Sequence, residues 1–249
     1  MSADHSFQWS AFLRALFLIL TAAVYTALLC GPAFAACLLD RKGRWFSFIQ
    51  RTWVIWVLRS NGIRLRVEGL QNMEKGRSYI LISNHSSILD IPGIVAAFPV
   101  PVRFIAKKSL AWLPVFGWVL YLSGHIMIDR ESALSAFKSM KEAVSLLKNG
   151  TSIIVFPEGT RSPDGQVKEF KRGAFLLALQ AKMAILPISI SGTHQMLPRK
   201  SWCFQPGTMV LRIGQPISSE EFSLRQAHLF MEKVRRTIIQ NLPVASPEA

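Results

Sequence analysis

Two short clusters hold the side chains best suited to chemistry. The first is Asn84-His85-Ser86-Ser87-Ile88-Leu89-Asp90, which sets an aspartate five residues after a histidine. On a regular helix five residues turn through about 140° net, so the two side chains could not meet there. They can meet if His85 sits on a turn leaving a strand and Asp90 lies in the first turn of the helix that follows. A carboxylate accepting from one imidazole nitrogen fixes the tautomer and leaves the other nitrogen as a general base. The same residues fit a second pattern. Ser87-x-x-Asp90 matches a helix capping box, in which Asp90 would only cap a helix end. Spacing alone leaves both open.

The second cluster is Phe156-Pro157-Glu158-Gly159-Thr160-Arg161-Ser162. Gly159 permits a tight turn and close backbone approach. Arg161 offers a fork of donors matched to phosphate, although in a heptapeptide alone it reads equally as a solvated surface arginine. Downstream, Phe170-Lys171-Arg172-Gly173-Ala174-Phe175 is a basic helix start that could help hold an anion or simply be solvated. His125 and His194 show no metal-ligand spacing with the carboxylates, so no metal site is expected; His125 reads as a structural strand residue and His194 as a loop residue. Cys30, Cys37 and Cys203 are too few for a disulfide framework.

The elements that must position these clusters alternate. Strands are expected at Ile63–Glu68, Tyr79–Ser83, Val102–Ala106, His125–Ile128, Ser152–Phe156, Ile185–Ile190 and Met209–Ile213, most of them rich in β-branched residues. Helices are expected at Ile88–Phe98, Ala133–Lys148, Gly173–Lys182 and Glu220–Gln240. Leu134, Phe137, Val144 and Leu147 give the second of these an apolar face, and Asn149-Gly150 stops it. The tail Pro243–Ala249 reads as frayed. This alternation predicts an α/β fold with a mostly parallel central sheet flanked by helices. Both clusters then follow strands, at the carboxyl edge where open α/β sheets bind ligands.

Composition adds a membrane. The 249-residue chain is 50% hydrophobic and only 18% charged, which excludes a disordered chain, and its formal net charge is +14. Ala15–Leu39 is free of charge over 25 residues, about 37 Å as a helix and enough to cross a hydrocarbon core of ~30 Å. Gly31-Pro32 interrupts it, and the helix is expected to end or kink near Cys30. After Asp40–Arg44, Trp45–Leu58 resumes with Trp45, Ile49, Trp53 and Trp56 at helical spacing, a pattern of the headgroup interface. The basic surplus begins here: Arg41–Leu110 carries twelve basic residues against three acidic ones. That places the following domain on the cytoplasmic face, against anionic lipid. A secretory signal ending near Ala33-Phe34-Ala35 is the alternative, but the aromatic second helix continues the membrane contact beyond it. Nucleic acid, the other partner of so basic a chain, is not expected behind so long a hydrophobic leader. Residues 1–60 therefore read as a two-helix membrane anchor and 61–249 as a catalytic domain.

Four blocks, in order, resemble the lysophospholipid acyltransferase family of the 1-acylglycerol-3-phosphate acyltransferase type: Asn84–Asp90, Gly124–Arg130 (GHIMIDR), Phe156–Ser162 and Ile185–Ile188 (ILPI). Met127 stands where the family often has Phe. The resemblance implies transfer of an acyl group from acyl-CoA or acyl-carrier protein to the free hydroxyl of a lysophospholipid, giving phosphatidic acid where the acceptor is 1-acylglycerol-3-phosphate. Another lysolipid, such as lyso-ornithine lipid, is the alternative acceptor. His85, oriented by Asp90, would deprotonate the acceptor, with no serine nucleophile and no bound cofactor. The thioester oxyanion would be met by backbone N–H groups. Arg130, Glu158, Gly159 and Arg161 match family positions for acceptor binding, the arginines nearest the phosphate, and Lys107 and Lys108 match a family lysine pair near that site. It also implies a membrane-associated enzyme, in the inner membrane if bacterial, whose anchor either spans the bilayer or lies in one leaflet as a hairpin. The proline break and the monotopic anchors of bacterial family members favour the hairpin. A soluble hydrolase would want a G-x-S-x-G elbow, which is absent. A basic membrane-surface binding module would explain the charge but not four ordered blocks.

Overall fold

The structure is a computed structural model and describes residues 2–40, 43–74, 76–107, 112, 116–128 and 142–243. Seven strands form one sheet: β1 (Arg64–Glu68), β2 (Ile80–Ser83), β3 (Val102–Lys107), β4 (Ile126–Ile128), β5 (Ser152–Val155), β6 (Ile185–Ser191) and β7 (Thr208–Ile213). Their order is β1-β7-β6-β2-β5-β3-β4, and every neighbouring pair is parallel except β6 with β7. The expected α/β class and mostly parallel sheet are what the chain adopts. β2 occupies the centre with β5 and β6 on either side, so the carboxyl ends of these three strands share one edge.

The central strands are apolar on both faces because helices cover both. In β2, Leu81 packs into the core under the N-terminal helices, while Ile80 and Ile82 face the opposite core; Ile154 and Ile153 of β5 divide in the same way. The first face is covered by α1 (Ser2–Leu39), α2 (Arg44–Ser60) and α3 (Asp90–Ala97), and α4 (Phe116–Leu122) packs against α1. The second is covered by α5 (described over 142–148), α6 (Gly173–Ala181) and α8 (Ala227–Gln240). A single-turn helix, α7 (Thr193–Met196), follows β6 directly. The helix expected from Glu220 begins as two 3-10 turns, Ser219–Glu221 and Leu224–Gln226, and becomes α-helical only at Ala227. Most of the helix expected at Ala133–Lys148 lies outside the described residues.

α1 does not end near Cys30. It is one α-helix through Pro32. The ring removes only the N–H that would bond the Leu28 carbonyl, and packing on both sides of the break holds the helix together. Before it, the Asn61 amide donates to Thr21 Oγ1 (2.9 Å), and the Trp53 indole donates to Thr26 Oγ1 (3.1 Å). After it, Ala33 and Ala36 are buried against Phe46 and the α4 residue Val119. Arg51 ties α2 to the domain by donating to the Ala96 carbonyl at the end of α3 (3.0 Å). The two N-terminal helices thus enter the main core, to which Ala15, Val54 and Leu58 belong.

The junction of these helices with the sheet is polar and tightly built. Arg103 of β3 is buried beneath the α1–α2 turn, over the Phe46 ring, with its guanidinium donating to Ser47 Oγ (3.3 Å). Gly43 (φ 66°) leaves room for it, since a Cβ there would lie 2.2 Å from Arg103 Nη2. His125, just before β4, stacks on Phe104 at 4.5 Å and accepts the Phe104 backbone N–H on Nδ1 (3.1 Å). That bond requires an unprotonated Nδ1. Burial, assisted by the charge of Arg103, depresses the His125 pKa to about 3.

In the unfolded chain His125 protonates near its ordinary value of ~6.5. The unfolded state therefore binds the extra proton, and the neutral histidine's contribution is complete above ~6.5 and drains away as the pH falls toward 3. The thermal midpoint of the detergent-solubilised chain should drop steeply over that interval. The loss should be on the order of 4 kcal/mol. His125→Asn, which keeps an acceptor but does not titrate, should be less stable at pH 7 and show a flatter descent. An equally steep descent in the variant would mean that other groups set the acid sensitivity.

Candidate active site

β2 delivers its cluster through Asn84, which is buried and bonded twice to β6: its amide donates to the Ile190 carbonyl (2.9 Å) and its carbonyl accepts the Ile190 N–H (2.8 Å). This clamp fixes the chain at the strand's end, and the following residues curl over the sheet edge. His85 lies on the curl, and Asp90 is the first residue of α3. The two meet, with His85 Nδ1 2.8 Å from Asp90 Oδ2.

Asp90 is fully buried and saturated with donors. Its Oδ2 also accepts the backbone N–H groups of Ser86 (2.8 Å) and Ser87 (2.9 Å), and its Oδ1 accepts the Thr193 hydroxyl (2.5 Å). The bond to the Ser87 N–H is the backward half of a capping box, so the alternatives open in the sequence coexist. One carboxylate shapes the turn and holds the imidazole. Since this carboxylate only accepts, Nδ1 is the donor, and in the neutral ring the lone pair falls on Nε2. The ring plane is set by Phe156, stacked at 4.1 Å, and 15% of the side chain remains exposed.

The loop after β5 completes the surroundings. Glu158 is buried and accepts the His85 N–H on Oε1 (2.9 Å), and Ser162 N–H donates to the His85 carbonyl (2.7 Å). The two clusters are thus stitched backbone to backbone. Glu158 Oε2 has no hydrogen-bond partner among the described residues, and burial pushes its carboxyl pKa up against the opposing pull of the His85 N–H. Gly159 turns the chain at φ 75°, with the Lys171 side chain lying where a Cβ would go (Nζ at 3.0 Å). The Arg161 carbonyl accepts from Lys168 Nζ (3.3 Å) and Arg199 Nη1 (3.1 Å), which adds two cations to this rim.

His85 and Arg161 both face a cavity of about 610 Å³. Its walls are apolar and come from α1 (Leu29, Ala33), α2 (Ile49, Trp53), α3 (Ile91, Val95), β3 (Phe104) and α4 (Val119). It joins a histidine and an arginine to a cavity large enough for an alkyl chain.

Of the residues singled out in the sequence, the structure gathers His85, Asp90, Glu158, Gly159 and Arg161. Lys107 is the last residue of β3; its side chain, with all of Lys108 and Arg130, lies outside what the structure describes. Asn84's clamp and Thr193 were not anticipated. Each bonds across more than 100 residues, and only the position of Gly192-Thr193 just after a predicted central strand could have pointed to the second. His194, expected in a loop, is in α7, its ring packed on Gly165.

Comparison with known proteins is consistent along most of the chain. Residues 64–191 match the protein-family model described as Acyltransferase. A 1-acyl-sn-glycerol-3-phosphate acyltransferase of Limnanthes douglasii is 32% identical over 206 residues, 82% of this chain and 72% of that protein. One from Saccharomyces cerevisiae is 38% identical over 184 residues, 73% of this chain and 60% of that one. The crystal structure of the 1-acyl-sn-glycerophosphate (LPA) acyltransferase from Thermotoga maritima superposes with a TM-score of 0.81 at 29% identity, covering 96% of this chain and 99% of the other.

Proposed function

The chain belongs to the acyltransferase family, and on that premise we propose that it moves a fatty acyl group from a water-soluble thioester, acyl-CoA or acyl-carrier protein, to the free hydroxyl of 1-acylglycerol-3-phosphate, giving phosphatidic acid. The observation that carries this reading is the pairing of His85 with a buried, fully hydrogen-bonded Asp90 at the mouth of an apolar cavity. Nε2 takes the acceptor's hydroxyl proton as the oxygen attacks the thioester carbonyl. The imidazolium, stabilised by Asp90, then returns the proton to the departing thiolate as the carbon–sulfur bond breaks. The acyl chain lies in the cavity. Arg161 and the cations beside it receive the acceptor's phosphate, joined by Arg130 and the Lys107–Lys108 pair through their match to the family pattern.

The acceptor resides in one leaflet and the donor in water, so the site belongs at the cytoplasmic interface. α1 is long and apolar enough to cross a membrane, with a mean hydropathy of 2.1 over an 18-residue stretch within Trp9–Leu39. Its contacts support an in-plane arrangement instead. The Ala11 carbonyl accepts the Phe204 N–H (3.4 Å), Arg14 donates to Gln205 (2.7 Å), and Ala33 and Ala36 pack on α4. These contacts with one globular body extend along about 37 Å of helix, more than the ~30 Å hydrocarbon thickness. A crossing helix would drag the domain into the bilayer. The outward face of α1 and α2, with Leu13, Phe17, Leu20, Leu28, Trp45 and Phe48 exposed, lies in the inner leaflet, and Trp118 and Trp202 flank it at headgroup level.

Purified full-length protein supplied with acyl-CoA or acyl-carrier protein and a panel of lysolipids should release thiol only with an acceptor present, and fastest with lysophosphatidate. His85→Ala should lower turnover at least ~10²-fold, and Asp90→Asn severely as well. Thiol release without acceptor would favour a hydrolase, and no turnover with any acceptor a binding module. Topology is read separately. A cysteine introduced at Ser2 in the intact cell should be protected from an impermeant thiol reagent applied outside, whereas labelling there would establish a span.

A further inference from the structure

Thr193 stands where β6 gives way to α7 and is fully buried. Gly192 sets it there: its φ is 87°, and a Cβ would lie 2.2 Å from the Thr208 carbonyl oxygen, so the chain passes against β7 with no room for a side chain. The Thr193 hydroxyl lies 2.5 Å from Asp90 Oδ1 and 3.1 Å from Ser86 Oγ. A carboxylate has no proton to give, so Thr193 donates to Asp90 and its own oxygen is left to accept from the Ser86 hydroxyl. The result is a directed chain, Ser86 to Thr193 to Asp90, ending on the oxygen that does not face the histidine.

From this geometry we infer that Thr193 is a positioning residue of the His85–Asp90 pair, an inference that rests on the base role given to His85 above. Asp90 Oδ2 already serves His85 and two backbone N–H groups. Thr193 is the donor given to Oδ1. Remove that donor and a buried carboxylate oxygen is left without a partner among the described residues. The carboxylate then recovers a hydrogen bond only by rotating about its Cβ–Cγ bond or drawing toward its backbone donors. Either movement displaces Oδ2, and the imidazole that follows Oδ2 loses its aim at the acceptor hydroxyl. Thr193 is not assigned contact with either substrate, so its loss falls on the chemical step and not on binding. Its effect on His85 is transmitted from β6, a strand more than 100 residues away in sequence.

The test compares Thr193→Val, which keeps the branched shape without the hydroxyl, with Thr193→Ser, which keeps the hydroxyl without the methyl. Full-length proteins are assayed with lysophosphatidate and acyl-CoA, or with acyl-carrier protein if that is the donor the wild type uses, and rates are normalised to the folded fraction from a melting curve. The expected result is a kcat about tenfold or more below wild type for the valine variant. Its KM for both substrates should stay within about twofold, and the serine variant should recover most of the rate. A valine variant with wild-type kcat, a loss appearing in KM alone, or a serine variant no better than valine would overturn the role of Thr193. If the wild type itself transfers no acyl group to any lysolipid, the functional reading fails instead.

Discussion

The buried carboxylate of Asp90 is the constraint around which the rest of this molecule is arranged. An isolated carboxylate is expensive to bury, and it stays ionised inside a protein only where hydrogen bonds replace its lost water. Here His85, two backbone N–H groups and the Thr193 hydroxyl supply them. The two N–H groups exist only because the chain curls between β2 and α3. The hydroxyl exists only because β6 ends beside β2 and Gly192 lets it turn into α7. Each donor is worth about 1.5–3 kcal/mol to a charged acceptor. The cluster therefore holds β2, α3 and β6 to one geometry while it aims an imidazole.

The parallel sheet makes that geometry available. With β2 central and β5 and β6 beside it, three loops leave the same edge, bringing His85, the Glu158–Arg161 turn and Thr193 together. The second loop is tied to the backbone of the first: the Glu158 carboxylate accepts the His85 N–H, and the Ser162 N–H donates to the His85 carbonyl. His85 is thus held at both its N–H and its carbonyl, with its ring stacked on Phe156. Beneath the edge, the packing of α1 and α2 on α3, β3 and α4 leaves the apolar cavity open to the same histidine. The N-terminal helices build the wall of the site as well as an outward face of exposed apolar side chains. The buried pair Arg103 and His125 secures them to the sheet.

Much of this was legible in the sequence because it is local. The seven strands fall within a residue or two of where β-branched runs placed them, since a central parallel strand is apolar on both faces and reads as a short hydrophobic block. The spacing of His85 and Asp90 across a strand-to-helix turn allowed their pairing but equally allowed a capping box, and the structure shows the contact. Reading failed where partners are distant. Pro32 looked like a break because the sequence does not display the helix and α4 packed against it. The start of α8 was placed too early because Glu220 and Glu221 suit a helix's first turn, whereas the chain there spends two 3-10 turns reaching the sheet's outer face. Asn84 and Thr193 were overlooked for the same reason: a polar residue at a strand end acquires meaning only from the strand that arrives beside it.

In the proposed mechanism His85 drives direct transfer between two bound substrates, and the protein never carries the acyl group itself. Ser86 and Ser87 are spoken for, their N–H groups by Asp90 and their hydroxyls by Thr193 and the Leu197 carbonyl. That leaves neither placed as a nucleophile. The most direct measurement is to mix the protein with radiolabelled acyl thioester in the absence of acceptor, denature it, and count the label that remains attached. No label above a His85→Ala control is expected. Stoichiometric label that passes into lipid when lysophosphatidate is added before denaturation would contradict it, since the chain would then work through an acyl-enzyme.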